Sequence, residues 1–404
     1  MPSAMRLRAQ IHSVSTLLPA DKMLASKKNI FTGIIALTLV VLYIQFETMQ
    51  NEIVNRITDH RKTILRSDAL SELTTVTSDS LLINLRTKTY RPWVTSANKP
   101  GLFRMPDMQS YESELKPEKN IFFVMSTVIE DDIAKLTPRQ SCAIESAARA
   151  NSDWSVFVLF TSARMFSYQN STNMVPLLFY SNIHFRRLNM ETYAIGTPLE
   201  KFFRDNSLRN SLFIVEHTSD VLRLLTLYKY GGTYLDSDVV VMDSLNELPH
   251  NYLGSEGDGY IANGIINLQV TGYGHTVAEA FLNEIAENFN GSVWAANGPA
   301  MVTRVMRKFC NVTNVWDMTR ERCGGKMSIL PPDTFFQVTY PRHTWYFEEA
   351  HASEVMEKVA GHILTHLWNK LTGGIVLRKD SPVAYIILAN VYCPNVINNC
   401  KEYF

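Results

Sequence analysis

Two carboxylates, Asp236 and Asp238, stand one residue apart directly after the apolar run Thr233-Tyr234-Leu235. In an extended segment, side chains two apart point to the same side. Two carboxylates held that way repel each other and are costly to desolvate without a cation. A hard divalent ion resolves both problems, and oxygen ligands suit magnesium or manganese. A solvated acidic turn after a strand has the same sequence, so the pair gains meaning only from its company. On the helix predicted over 217–230, Asp220 and Arg223 lie three apart and share a face. By themselves they read equally as an ordinary ion pair. A helix start near Thr218 would put Asp220 in the first turn, beside the end of a strand predicted over 212–215 and facing the same crevice as the aspartates.

Other candidates carry bland readings of equal weight. His366, close to Trp368, is either a ligand or a satisfied core residue in an aromatic cluster. His362 and His366 are four apart and would share a helix face. The zinc-protease pattern requires Glu after the first His, and Ile363 stands there. Asn297-Gly298-Pro299 reads as a helix cap with Asn297 as N-cap, or as a loop meeting a sugar or phosphate at a helix N-terminus. Asn263-Gly264 reads as a turn or as lining an acceptor entrance. The loose glycine pattern from Gly257 to Ala262 lacks a following helical period, so it is no dinucleotide fingerprint.

The elements that must position these residues alternate in type. The continuous apolar run 121–125 is expected as a buried strand, and 154–160 and 183–188 as the next two strands. Thr137-Pro138-Arg139-Gln140 supplies a capping residue, a proline for the first helical position and a glutamine to close a capping box. Gly231-Gly232 ends the 217–230 helix, and strands over 233–235 and 239–242 follow. Strands alternating with helices imply an α/β fold with a mostly parallel sheet, whose ligands sit beyond the C-terminal strand ends.

Lys plus Arg and Asp plus Glu both number 39 in 404 residues, so net charge gives no case for nucleic acid. The uncharged 17-residue run 30–46 is expected to be a transmembrane signal-anchor. Arg6, Arg8, Lys22, Lys27 and Lys28 precede it, so the short tail 1–29 stays cytoplasmic and the remainder is lumenal. A polar stem is expected over 47–116, with 96–106 as loop, then a catalytic domain over 117–404. The donor-binding part of that domain is expected at about 120–270 and the acceptor side at 271–404. All five cysteines follow the anchor, where disulfides are permitted; Cys310 with Cys323 and Cys393 with Cys400 would close short loops. Asn170, Asn290 and Asn311 each begin a glycosylation sequon.

The stretch from His217 through Asp220 and Arg223 to Tyr230-Gly231-Gly232-Thr233-Tyr234-Leu235-Asp236-Ser237-Asp238 resembles the D-x-D glycosyltransferases. With Cys142–Ala148, Thr197–Glu200, Asn297–Pro299 and His366–Lys370, the chain from about 120 onward resembles the α-1,4-galactosyltransferase and α-1,4-N-acetylgalactosaminyltransferase family. The resemblance implies a GT-A fold and a type II Golgi membrane enzyme. It implies UDP-galactose or UDP-GalNAc as donor, Mn2+ as cofactor, a glycosphingolipid acceptor and retention of anomeric configuration. It also implies that Asp238 binds the metal directly, that Asp236 contacts ribose or reaches the metal through water, and that His366 completes the metal shell. Asp220 and Arg223 would hold sugar hydroxyls, with Tyr234 and Asn297 also on the donor side.

Overall fold

The computed structural model describes residues 94–95, 101–110, 112–257 and 259–404. The run 30–46 lies outside them, and among the described residues no helix is long and apolar enough to cross a membrane. The described chain opens with β1 (Val94–Thr95), β2 (Leu102–Arg104) and β3 (Asn120–Met125), followed by helix α1 (Pro138–Ala150). Then come β4 (Ser155–Phe160), β5 (Met165–Ser167), β6 (Ile183–Arg187), the short α2 (Glu200–Arg204) and the long α3 (Ile214–Tyr230). β7 (Gly232–Leu235), β8 (Val239–Val241), β9 (Tyr252–Ser255) and β10 (Ile261–Leu268) precede α4 (Gly272–Asn288) and α5 (Pro299–Cys310). The C-terminal part holds β11 (Ser328–Leu330), α6 (Ala352–Val359), β12 (Leu364–His366), α7 (Asn369–Thr372), α8 (Ala384–Tyr392) and α9 (Pro394–Asn399).

Seven strands form one sheet in the order β11-β9-β10-β7-β3-β4-β6. It is mixed: β10 runs antiparallel to both its neighbours, and the other pairings are parallel. Both faces are covered, which explains the continuous apolar runs. Along β3, Ile121, Phe123 and Met125 enter one core with Cys142, Ile144 and Ala147 of α1. Phe122 and Val124 enter the opposite core with Val221 and Leu225 of α3, Phe281 of α4 and Met301 of α5. The capping box of α1 is formed as expected, with the Thr137 side chain accepting from the Gln140 N–H. Gly231 and Gly232 have φ of 62° and 90°, and a Cβ on Gly232 would stand 2.6 Å from the Asn120 carbonyl. Only glycine allows α3 to pass so directly into β7 beside β3.

Several expectations change. The stretch 96–106 is not all loop: β2 pairs with β5, and Met105 and Met108 are fully buried, so packing starts before residue 117. The strand expected over 212–215 is a turn leading into α3. Ser211 Oγ accepts from the Phe213 N–H, the Leu212 N–H donates to the Gly291 carbonyl, and Leu212 is exposed, so this apolar run never joins a sheet. Asp220 therefore sits in the second turn of α3.

Cys310 bonds to Cys323 as expected, but Cys393 bonds to Cys142 and Cys400 is a buried free thiol. The physical reason is tertiary. Helices α1, α8 and α9 share one core, and Glu145 of α1 accepts from the N–H groups of Asn395 and Val396 at the start of α9. That places Cys142 beside Cys393 across 251 residues of sequence. Peptide mapping without reductant should recover a Cys142–Cys393 cross-link and no Cys393–Cys400 one. Replacing both Cys142 and Cys393 by Ala should lower unfolding stability by about 2–5 kcal/mol in denaturant titration, whereas Cys400→Ala should cost less.

Candidate active site

β7, the central strand of the sheet, releases the chain at its C-terminal end, at Asp236. The Asp236 N–H donates to the Gly264 carbonyl of β10 at 2.7 Å, so the antiparallel neighbour fixes where the first acid emerges. Asp236 to Asp238 is a turn, not an extended segment, yet both carboxylates still face one place. Oxygen atoms of Asp236 and Asp238 and a ring nitrogen of His366 lie within 4.8 Å of one another.

His366 arrives by strand pairing. β12 runs antiparallel to β8 with His366 opposite Val239, so the imidazole meets Asp238 across that register, with Nε2 3.2 Å from Oδ1. The shared helix face for His362 and His366 is corrected accordingly: this segment pairs with β8 as a strand. Phe336 and Trp368 pack against the ring, with centroids 5.4 and 4.7 Å away. Trp368 adopts φ 56°, unusual for a bulky side chain, and this turn aims the Asn369 N–H at Asp238 Oδ2 at 2.7 Å. Burial alone would raise the Asp238 carboxyl. The His366 imidazole and the Asn369 N–H overturn that and hold it below its ordinary value. Burial would likewise lower His366, but Asp238, with help from Asp236 and Glu256, raises it.

A second cluster adjoins this one. Arg223 is buried, and its guanidinium has five acceptors for five N–H groups. Nε donates to the Ser219 carbonyl at 3.2 Å, Nη1 to the Asn263 carbonyl at 2.7 Å and Nη2 to Ser219 Oγ at 2.9 Å. Nη1 also stands 3.1 Å from Asp236 Oδ1, and Nη2 stands 3.3 Å from Asp220 Oδ1. The guanidinium therefore bridges two carboxylates, with the Tyr234 ring stacked 4.5 Å away. Its donors are engaged by the protein, so in this arrangement Arg223 orients acids. The Tyr234 hydroxyl donates to Asp236 Oδ1 at 2.7 Å. Asn263 Nδ2 donates to Asp220 Oδ1 at 2.7 Å. Burial keeps the Asp220 carboxyl above its ordinary value despite Arg223 and Asn263.

Asn297 lies apart from these acids in its bonding. Its amide donates to the Asn290 carbonyl and accepts from the Asn290 N–H, closing the loop before α5. Gly298, not Asn297, is the N-cap of α5. A Cβ on Gly298 would stand 2.7 Å from Asn263 Nδ2 and 3.1 Å from Asp220 Oδ2, so glycine is needed for that close approach. Sequence reasoning left Asn263-Gly264 as a turn or an entrance; both lie inside β10 and act on the acids. Ser219 and the backbone of Asn369 lie within the stretches that carry the resemblance, but the sequence gives neither a role. The sequon residues Asn170, Asn290 and Asn311 are all exposed.

The donor set fits a hard divalent cation. Two carboxylates and one imidazole converge, and hydrogen bonds from Tyr234 and Asn369 orient the two carboxylates from behind.

Residues 137–254 match the glycosyltransferase sugar-binding region containing the DXD motif, and residues 270–400 match the alpha 1,4-glycosyltransferase conserved region. The chain is 29% identical over 264 residues to the lactosylceramide 4-alpha-galactosyltransferase of Mus musculus, covering 65% of this chain and 72% of that protein. It is 27% identical over 315 residues to the alpha-1,4-N-acetylglucosaminyltransferase of Homo sapiens, covering 72% and 85%. Among solved structures, the PaToxG glycosyltransferase overlays with a TM-score of 0.36 at 16% identity, over 54% of this chain and 84% of that one. That overlay is too loose to bear on the site.

The orienting contacts make a direct prediction. A Cβ on Gly264 would stand 2.6 Å from Asp236 Oδ2, so Gly264→Ala should displace that carboxylate. Manganese titration should show affinity weakened about 10–100-fold, with Tyr234→Phe weakening it toward the lower end of that range. Unchanged affinity in both variants would separate Asp236 from the metal.

Proposed function

We propose, for a chain that belongs to the DXD-containing glycosyltransferases and carries the alpha 1,4-glycosyltransferase conserved region, that it transfers galactose or N-acetylgalactosamine from a UDP-sugar, in α-1,4 linkage, to a terminal sugar of a glycosphingolipid. The observation that carries this reading is the convergence of Asp236, Asp238 and His366 next to the buried Asp220–Arg223 pair. The bond broken joins the anomeric carbon to the diphosphate. The bond formed joins that carbon to an acceptor hydroxyl, whose proton leaves with UDP.

When bound, a divalent cation such as Mn2+ supplies Lewis-acid neutralisation of the charge that gathers on the diphosphate. Asp236, Asp238 and His366 would hold it. Asp220 Oδ2, outside the contacts made by Arg223 and Asn263, is the acid oxygen left to accept from a sugar hydroxyl. Arg223 and Tyr234 keep Asp236 in place, so the charges around the reacting centre need no rearrangement during transfer. The acceptor class is supported by the name of the murine relative, and the anchored, lumenal Golgi placement by the run 30–46 and its flanking charges. An anchored enzyme and a lipid-borne acceptor confined to one surface meet at raised effective concentration.

The test is release of the nucleoside diphosphate, UDP or in the case of GDP-mannose GDP, by the purified full chain. UDP-galactose, UDP-GalNAc, UDP-GlcNAc, UDP-glucose and GDP-mannose are offered separately, with lactosylceramide, in manganese and in chelator. Release from a galactose-type donor that needs manganese and rises with lactosylceramide is expected. Preferred release from GDP-mannose, or transfer only to soluble glycoprotein, would move the assignment to a mannosyl- or glucosyltransferase. Asp238→Asn keeps an oxygen for the Asn369 N–H while removing the charge, so it should melt near the wild type and lose manganese-dependent release. Asp238→Ala should lose release as well, and should also lower stability by about 1–3 kcal/mol through the orphaned N–H.

A further inference from the structure

The two acid clusters form a line. It runs from Asp238 and His366 through Asp236 and Arg223 to Asp220, whose far oxygen faces Gly298. On the donor reading above, the diphosphate belongs at the first end and the sugar at the second. Gly298 closes that second end, so the loop that carries it borders the sugar position.

A cavity of about 730 Å3 lies along that side, between the end of α4, the loop before α5 and Tyr260. Its volume is that of an ordinary small-ligand site. It adjoins the loop whose Gly298 lies against Asp220. Ala296 and Ala300 line it and flank Asn297, Gly298 and Pro299, while Tyr260 leads straight into the β10 segment that carries Asn263 and Gly264. The wall is held rigidly. Asn297 ties its loop to Asn290, Thr303 of α5 accepts from the Ile261 N–H, and Arg304 pairs with Glu284 at 2.7 Å.

The lining chemistry is that of a carbohydrate site. Tyr260 is 49% exposed at the cavity, and an aromatic side chain there suits the C–H side of a sugar. Asn288 and Asn290 offer amide partners for hydroxyls, beside the Glu284 carboxylate held by Arg304 and Lys308. A lipid chain would find those groups costly to desolvate. We propose that this cavity is the acceptor subsite, taking the terminal hexose of the acceptor glycan against Tyr260; the proposal rests on the transferase reading of the neighbouring acids. One consequence follows for the sequon at Asn290. The residue lines the same cavity, so an N-glycan there and an acceptor sugar compete for one space.

The test uses the full chain with lactosylceramide in detergent and a soluble lactoside. Tyr260→Ala should raise the acceptor KM about tenfold, with the donor KM moving less than twofold, and Tyr260→Phe should restore the acceptor KM. Saturation-transfer NMR should show the lactoside bound to wild type and lost in Tyr260→Ala, whether or not any donor turns over. Wild type that binds lactoside through Tyr260 yet releases no UDP from any donor would sink the donor reading and leave the subsite standing. An acceptor KM or lactoside signal within twofold of wild type in Tyr260→Ala would overturn the subsite. So would full activity in enzyme whose Asn290 is completely glycosylated.

Discussion

The guanidinium of Arg223 is the contact on which the site depends. It lies buried between Asp220 and Asp236, two carboxylates that could not share that space without a positive charge. Removing one member of such a group leaves an uncompensated buried charge, which is far costlier than the net worth of the intact set. The same guanidinium also donates to the Ser219 and Asn263 carbonyls. It thus joins α3, β7 and β10, the elements that carry most of the acids. Sheet register and charge placement therefore specify each other here: a slip of β10 against β7 would carry away the carbonyl that Arg223 holds.

The other half of the site depends on a long-range pairing. β8 is only three residues long, yet β12, more than 120 positions later, pairs with it and brings His366 to Asp238. The Trp368 indole N–H donates to the Val338 carbonyl, which secures the turn that presents the Asn369 N–H. The disulfide from Cys142 to Cys393 and the Glu145 contacts to α9 hold the C-terminal helices against α1. The histidine side of the site thus hangs from a part of the chain whose position is secured far from the chemistry.

What could be read from the sequence followed the range of the signal. The capping box at Thr137, the glycine pair at the end of α3 and the acids at the end of β7 are local, and each lies where its spacing predicts. Asp220 with Arg223 was legible as one helix face, though the start of α3 was not, because the apolar run before it resembles a buried strand. His366 was an open candidate from its residues, and the resemblance alone favoured it as a ligand. Its local pattern pointed to a helix, and only its partner β8 makes it a strand. The partner of Cys393 was hidden for the same reason, since proximity in sequence favoured Cys400 while shared packing of α1 and α9 brought in Cys142. The contacts of the Ser219 and Asn263 carbonyls, of Gly264 and of the Asn369 N–H arise from close backbone approach, which no residue type announces.

The charge of the assembled cluster argues for its ligand. Three carboxylates, Asp220, Asp236 and Asp238, face a single guanidinium, and His366 is neutral when its nitrogen acts as a ligand. Two negative charges remain uncompensated in a largely buried place, and one divalent cation balances them. A proton on His366, which the neighbouring Asp238 favours, would meet the same demand another way. Cation and proton therefore compete for one vacancy of charge. Because Tyr234, Arg223 and the Asn369 N–H already fix the oxygens, exchanging proton for cation requires little movement of the protein. Such a site is arranged in advance for a divalent cation.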